Sequence, residues 1–343
     1  MCKKTALGYD DIVLSPRFSN IRSRSEIDIS VELPKGIKLE MPVIASPMDT
    51  ICESDMAIAI GKAGGVGIIH RYMSIEEQTK HISRAKKETH NVGFACGVNG
   101  KDDLERAAKG IECGANIICI DIANGGSIHA VETAIKLQKL YPNVHIMAGN
   151  VANASQLGAI ERFVDSVRVG IGGGSVCTTS RICGVGLPSV TSIELCYQHT
   201  LSSSEDVALI ADGSIKYTGD IVKAFAVGAD VVMLGSLLSG YTQSCGNVVR
   251  VDGKEYKQFR GMASREAREE FTGKKSYHIE GISTLVETKG DVTEFFEAIK
   301  ANLKSGMSYL NARNMKEFIG KPTYFITTHS GFLERLPRYT EIK

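Results

Sequence analysis

The sequence predicts an α/β chain folded as a (β/α)8 TIM barrel, with an N-terminal arm and a lid-like insertion after the eighth strand. Three observations carry this. Eight short apolar runs are continuous rather than alternating, the pattern of strands buried on both faces of a parallel sheet. Amphipathic helical patterns separate them. Eight such units in roughly 250 residues match the count and size of a barrel. A doubly wound open sheet is the competing architecture; it usually has fewer strands and needs an edge, and no run reads as one.

The elements follow in order. Residues 1–40 form the arm before the first strand, "PVIASPM" (42–48). "GVGIIH" (65–70) is the second strand, and "SIEEQTKHISRAKK" (74–87) opens its helix with a capping-box pair, Ser74 and Glu77. "NVGFACGV" (91–98) comes third, then a helix over "KDDLERAAKGIECG" (101–114). "NIICIDIA" (116–123) is fourth, followed by "SIHAVETAIKLQKLYP" (127–142) with apolar residues three and four apart. "HIMAGNV" (145–151), "SVRVGIG" (166–172) and "VALIADG" (207–213) are strands five to seven. The helix "TGDIVKAFAVGAD" (218–230) leads to the eighth, "VVMLGS" (231–236), and "VTEFFEAIKANLK" (292–304) is the last helix. Residues 237–290 are polar and glycine-bearing, and an insertion of that length at a barrel's catalytic end is more often a lid or binding loop than a linker. The expected organisation is one catalytic domain over 1–343.

Composition narrows the function. The 343 residues are 43% hydrophobic and 23% charged with a net charge of +1. No overall field recruits nucleic acid or an anionic membrane, and the basic residues are scattered rather than striped. No apolar run reaches the ~18 residues of a membrane span, and the first residues lack the apolar stretch of a signal peptide. Nine cysteines show no Cys-x-x-Cys pair. Free thiols in a reducing, cytoplasmic compartment fit best, most of them small core residues such as Cys119.

One stretch stands apart. "GIGGGSVCTTSRICGVG" (170–186) packs six glycines and two cysteines directly after strand six. Active sites of these barrels lie at the C-terminal ends of the strands, so Cys177 is expected over the barrel mouth. A glycine-rich loop there can bring main-chain groups against a ligand or cation and hold a thiol over it. The plain alternative is a flexible linker with an incidental cysteine. Loops after strands seven and eight commonly bind phosphate; Gly213, Gly235 and Ser236 are candidates. Asp212, ending strand seven, suits a ribose diol, with an ordinary Asp-Gly turn as the equal alternative. Asp121 and Asn124 place polar groups at the end of strand four, and Ser127 reads as a helix cap.

These residues resemble the IMP dehydrogenase and GMP reductase family over almost the full length. "YDDIVLSP", "SRSEIDIS", "SPMDT", "GGVGIIH", "AGNVA", the cysteine loop, "ADGSIKYTGDIVKAFAVGAD" and "YKQFRGMAS" occur in family order. The resemblance implies that Cys177 attacks C2 of a purine nucleotide, with Thr179 and Glu280 handling protons. It implies substrate contacts from Ser175, Asp212, Gly213, Ser214, Gly235, Ser236, Gly261, Met262, Ala263 and Gly281. NADPH is the implied cofactor, met by Arg71, Asp121, Ile122, Ala123 and Asn124, and by Ser23, Arg24, Ser305, Gly306, Met307 and Ser308 across a subunit boundary of a homotetramer. Carbonyls of Gly172, Gly174 and Cys177 are the implied K⁺ ligands.

Within the family the sequence favours the reductase: reductive deamination of GMP to IMP. No CBS pair interrupts the second helix and third strand, and "DIANGGS" and "NIRSRSEIDI" look reductase-like. The segment "REEFTGKKSYHIEG" has Tyr277 with no arginine beside it, whereas the dehydrogenases use an Arg-Tyr pair to activate water; Arg265 and Arg268 are expected on a solvent-facing helix. The tail "SGFLERLP" looks dehydrogenase-like, and Gly173, Ser180, Ser214 and Arg71 depart from the usual family residues. The alternatives are an IMP dehydrogenase lacking CBS domains and a non-catalytic purine-nucleotide-binding protein.

Overall fold

The fold comes from a computed structural model, which describes residues 4–337. Its centre is a closed barrel of eight parallel strands, and all eight apolar runs supply one each. In chain order they are Val43–Ala45, Val66–Ile69, Gly93–Cys96, Ile117–Asp121, His145–Val151, Ser166–Val169, Ala208–Asp212 and Val231–Leu234. The last closes on the first through the register Val232–Val43, Met233–Ile44 and Leu234–Ala45. Both faces are buried, as continuous apolarity demands. Ile44, Val66, Ile68, Ala95, Ile117, Cys119, Met147, Ile210 and Met233 fill the interior, and the outward residues pack under the helices.

The helices sit where the spacing put them: Ile75–Lys86, Lys101–Glu112, Ile128–Leu140, Thr218–Ala226 and Thr293–Tyr309. The Ser74 hydroxyl accepts from Glu77 N at 3.1 Å. Ser127 is a cap, accepting from Ala130 N at 3.4 Å. Helix Ile75–Lys86 passes to the third barrel strand through a short connection.

The arm is more structured than its sequence suggests. Val31–Leu33 and Ile37–Leu39 form a hairpin whose Leu33, Ile37 and Leu39 plug the barrel floor. His145 ties it down, its Nδ1 2.9 Å from Pro34 O and its Nε2 2.7 Å from the Ser166 hydroxyl. Ile12–Leu14 pairs antiparallel with Tyr324–Ile326, joining the two ends of the described chain.

The insertion is a folded unit rather than an irregular loop. Val248–Val251, Lys254–Arg260 and Ser283–Glu287 form a three-stranded antiparallel sheet, and helix Arg265–Thr272 lies between the last two strands. Arg260 fastens it to the loop after the first barrel strand, with Nη2 2.6 Å from Asp49 Oδ2 and 2.5 Å from Glu270 Oε2. Tyr72 fastens it to the loop after the second: its ring stacks on Phe271 at 4.5 Å and its hydroxyl donates to Met262 O at 2.8 Å. No helix of the described residues is long and apolar enough to cross a membrane. Every described cysteine is a free thiol.

Candidate active site

The barrel mouth opens into a cavity of about 300 Å³ at the C-terminal ends of the strands, at the lower end of the usual size of small-molecule clefts. The cysteine loop forms one wall. Gly170 shows why glycine begins it: at φ +148° it lies so close to the next strand that a Cβ would sit 1.9 Å from Asp212 O. Only a residue with no side chain lets the loop leave strand six there.

The Cys177 thiol faces the cavity and donates to the Thr179 hydroxyl at 3.2 Å. Thr179 begins a one-turn helix, Thr179–Ile182. The Glu280 carboxyl is held below its ordinary range, most of all by the neighbouring Thr179 hydroxyl; Cys183 and His278 act the same way, against a desolvation that raises it. Glu280 is 9% exposed. Main-chain bonds set its position. Thr178 N donates to Glu280 O at 2.8 Å, Glu280 N donates to Ala263 O at 3.0 Å, and Ile282 N donates to Val176 O at 3.0 Å. The insertion's returning segment is thus laced between the cysteine loop and residues 261–263.

The bottom of this cavity holds a charge triad around a buried arginine. Arg168, in the sixth strand and 2% exposed, is placed between two strand-end carboxylates, with Nη2 2.6 Å from Asp121 Oδ1 and Nη1 3.8 Å from Asp212 Oδ2. Asn150 Nδ2 donates to the same Asp212 oxygen at 2.9 Å. Burial raises the Asp212 carboxyl, and the Arg168 charge and the Asn150 bond oppose that. Arg71 lies beside the triad, donating from Nη2 to Asp121 O at 3.3 Å, while its buried Nε makes no hydrogen bond and lies 3.7 Å from Asp121 Oδ2. An N–H without a hydrogen bond on a cavity wall fits a polar ligand group.

Most of the sequence-derived residues meet here. Arg71, Asp121, Ile122, Ala123, Gly172, Gly174, Ser175, Cys177, Thr179, Asp212, Gly213, Ser214, Gly235, Ser236, Gly261, Met262, Ala263 and Glu280 all line the cavity. Gly281 lies behind it, in a main-chain bridge to Cys177. Asn124 does not line it; its side-chain Oδ1 accepts from Gln156 Nε2 at 2.9 Å. Ser23 and Arg24 sit on an exposed turn against helix Thr293–Tyr309, which carries Ser305, Gly306, Met307 and Ser308, and none of these lines the cavity. The Met307 side chain is fully buried, and the Ser308 hydroxyl donates to Ser305 O at 2.6 Å.

One expectation is corrected. Arg268 does not simply face solvent; it lines the cavity and donates from Nη1 to His278 O at 2.8 Å, because the segment after its helix folds back over it. Arg168, Asn150 and Tyr72 were missed. A lone arginine within the apolar run "SVRVGIG" was the available signal for the first; the others carry none beyond their place at strand ends.

The IMP dehydrogenase / GMP reductase domain family matches residues 6–338. The chain belongs to this family. Members are oxidoreductases named for purine nucleotides. Among similar proteins, an inosine-5'-monophosphate dehydrogenase of Borreliella burgdorferi is 32% identical over 395 residues, covering 97% of each chain. A GMP reductase of Vibrio atlanticus is 34% identical over 332 residues, covering 93% of this chain and 94% of its own. GMP reductase 2 of Mus musculus is 34% identical over 336 residues, covering 94% of each. Both branches of the family are therefore similar to the chain at nearly equal identity.

Proposed function

We propose that the chain is a GMP reductase, converting GMP, NADPH and protons to IMP, ammonium and NADP⁺. The observation that carries this is the Cys177 thiol bonded to the Thr179 hydroxyl, with the Glu280 carboxylate beside that hydroxyl and Gly281 paired to Cys177. In this reading the thiol passes its proton through the Thr179 hydroxyl to Glu280 as sulfur adds to C2. An amine leaves poorly unless protonated, so a positioned acid is required; Glu280 returns the proton through Thr179 to the departing 2-amino group. The C2–N bond breaks and a thioimidate remains on Cys177. NADPH supplies hydride to C2 when bound, after which the C–S bond breaks and the thiolate is restored.

The Arg71 Nε, without a hydrogen bond and 3.7 Å from Asp121 Oδ2, fits a polar cofactor on that side of the cavity. Phosphate is held by main-chain groups at Ser175, Gly213, Gly235 and Ser236, and the ribose by Asp212. For K⁺, Gly172 O already accepts from the Ser180 hydroxyl at 3.2 Å and Gly174 O from Cys177 N at 3.0 Å. Each carbonyl keeps a second lone pair, so the donor set fits, completed from outside the loop. Ser23, Arg24 and Ser305–Ser308 serve a neighbour's cofactor in a homotetramer. Phe18, 89% exposed, and the exposed Tyr309 that ends helix Thr293–Tyr309 support a subunit contact there. The chain is read as one catalytic domain without a CBS pair.

Tyr277 supports the reductase branch: it is 85% exposed, and Lys275 rather than an arginine lies over its ring at 5.3 Å. Arg268 favours the second reading, an IMP dehydrogenase, because its guanidinium reaches the residue next to Tyr277. One assay separates them. Incubation with GMP and NADPH is expected to consume both and yield ammonium. Production of XMP from IMP and NAD without NADPH-dependent loss of GMP would establish the dehydrogenase, and neither reaction a non-catalytic binder.

A further inference from the structure

The geometry points to a regulatory zinc site at Cys183, His278 and Glu280, on the edge of the cavity. One ligand atom from each lies within 4.8 Å of the others. They come from two segments: Cys183 from the end of the Thr179–Ile182 turn, and His278 and Glu280 from the insertion's returning segment, where Glu280 is its buried stop beside Thr179. Their main chains are held in advance. Cys183 N donates to Thr179 O at 2.8 Å, Arg268 and the Ser276 hydroxyl hold His278 O at 2.8 and 3.3 Å, and Glu280 is bonded on both sides. His278 Nε2 already touches Glu280 Oε1.

The donor set selects the ion. Thiolate, imidazole and carboxylate together suit Zn²⁺, whereas Mg²⁺ and Ca²⁺ take oxygen shells. Ligand atoms bound to one zinc at ~2.0–2.3 Å lie ~3.2–3.8 Å apart. Cys183 is exposed and the His278 side chain is 66% exposed, so rotation of two solvent-facing side chains closes the gap. Three protein ligands leave a fourth position to water, the arrangement of an exchangeable site. A second trio, Glu53, His70 and Cys245, has similar spacing. There the His70 ring is 3% exposed and fixed at Nδ1, which accepts from Tyr72 N at 3.2 Å, so it cannot turn to a metal and the trio carries nothing.

Zinc binding forms the Zn–S bond, and the Cys183 thiol proton passes to solvent. The Glu280 carboxylate, coordinated, is withdrawn from Thr179, and the insertion is pinned to the cysteine loop. Turnover then stops until a chelator removes the ion. The inhibition, unlike the binding, rests on Glu280 as the proton carrier.

Cobalt(II) and zinc added to the full-length protein test both parts. A thiolate-to-cobalt charge-transfer band is expected, kept in Cys177→Ser and lost in Cys183→Ser and His278→Ala. Zinc measured by equilibrium dialysis is expected to bind at least tenfold more weakly to Cys183→Ser, and that variant is expected to need at least tenfold more zinc for inhibition. A band that vanishes in Cys177→Ser but survives Cys183→Ser places the metal on the nucleophile and overturns the site, as does the absence of any band. Zinc bound through Cys183 with turnover unchanged overturns the inhibition and counts against Glu280 as proton carrier.

Discussion

Gly281 of the insertion is paired, main chain to main chain, with Cys177 of the loop after the sixth barrel strand. The bridge puts the thiol and the Glu280 carboxylate on adjoining segments, although a hundred residues of sequence lie between them.

Cys177→Ala is expected to abolish turnover and to leave nucleotide binding within a few-fold, because the phosphate and ribose positions are formed by other loops. Steady-state assay and calorimetric titration with GMP check this. Near-normal activity would remove the covalent chemistry altogether. Cys119→Ser is the contrasting case: its thiol is buried in the barrel and pushed up to about 12 by desolvation, so a loss of stability without a selective loss of chemistry is expected.

Glu280→Gln keeps the shape of the carboxylate and removes its ability to carry a proton. A fall in kcat of about 10²–10⁴ is expected, the usual contribution of a positioned acid or base, with KM for GMP little changed. Thr179→Val is expected to behave alike, and the double variant to lose little more than either. Additive losses would show that the two residues act separately.

Gly235 lines the cavity, and a Cβ there meets Met48 Sδ at 3.0 Å and little else. The thioether can move, so Gly235→Val is expected to fold. Its side chain then occupies the approach to the main-chain groups after strand eight, and GMP affinity is expected to fall at least tenfold. Unchanged affinity in the folded variant would move the phosphate elsewhere.

Arg168→Met leaves two carboxylates at the bottom of the mouth cavity without their cation. Breaking a buried ion pair by removing one partner costs about 3–5 kcal/mol, and a loss of that order is expected in denaturant unfolding. The deficit carries a pH sign. Burial already raises the Asp212 carboxyl, and losing the arginine raises it further. The native variant then binds more protons than the unfolded chain above the ordinary Asp pKa, so its stability falls as pH rises. The deficit is expected to be larger at pH 7 than at pH 4.5; the reverse trend would show that the triad does not carry the charge balance.

The barrel was legible because its strands are buried on both faces, which writes continuous apolar runs into the sequence. The floor hairpin was not read, although Val31, Leu33, Ile37 and Leu39 alternate around Pro34-Lys35-Gly36. The insertion's sheet was hidden for a different reason: Val248–Val251 is exposed along its whole length, so burial imposes no period on it. At the site, the loops displayed their chemistry through glycine and cysteine. Arg268 misled because helical spacing gives a side chain's face but not what later folds over it. Arg168 was passed over because one charge in an apolar run looks like a flaw until two carboxylates are found against it.

Barrel closure sets a schedule for synthesis. Val43–Ala45 finds its second neighbour only in Val231–Leu234. At ribosomal rates of about 5–20 residues per second, that edge waits ~10–40 s uncovered. The floor hairpin emerges well before the strands it plugs and is ready beneath them as they assemble. A nascent chain stalled before the eighth strand presents two raw strand edges to its surroundings, so the growing polypeptide, more than the finished protein, is where chaperone capture is needed.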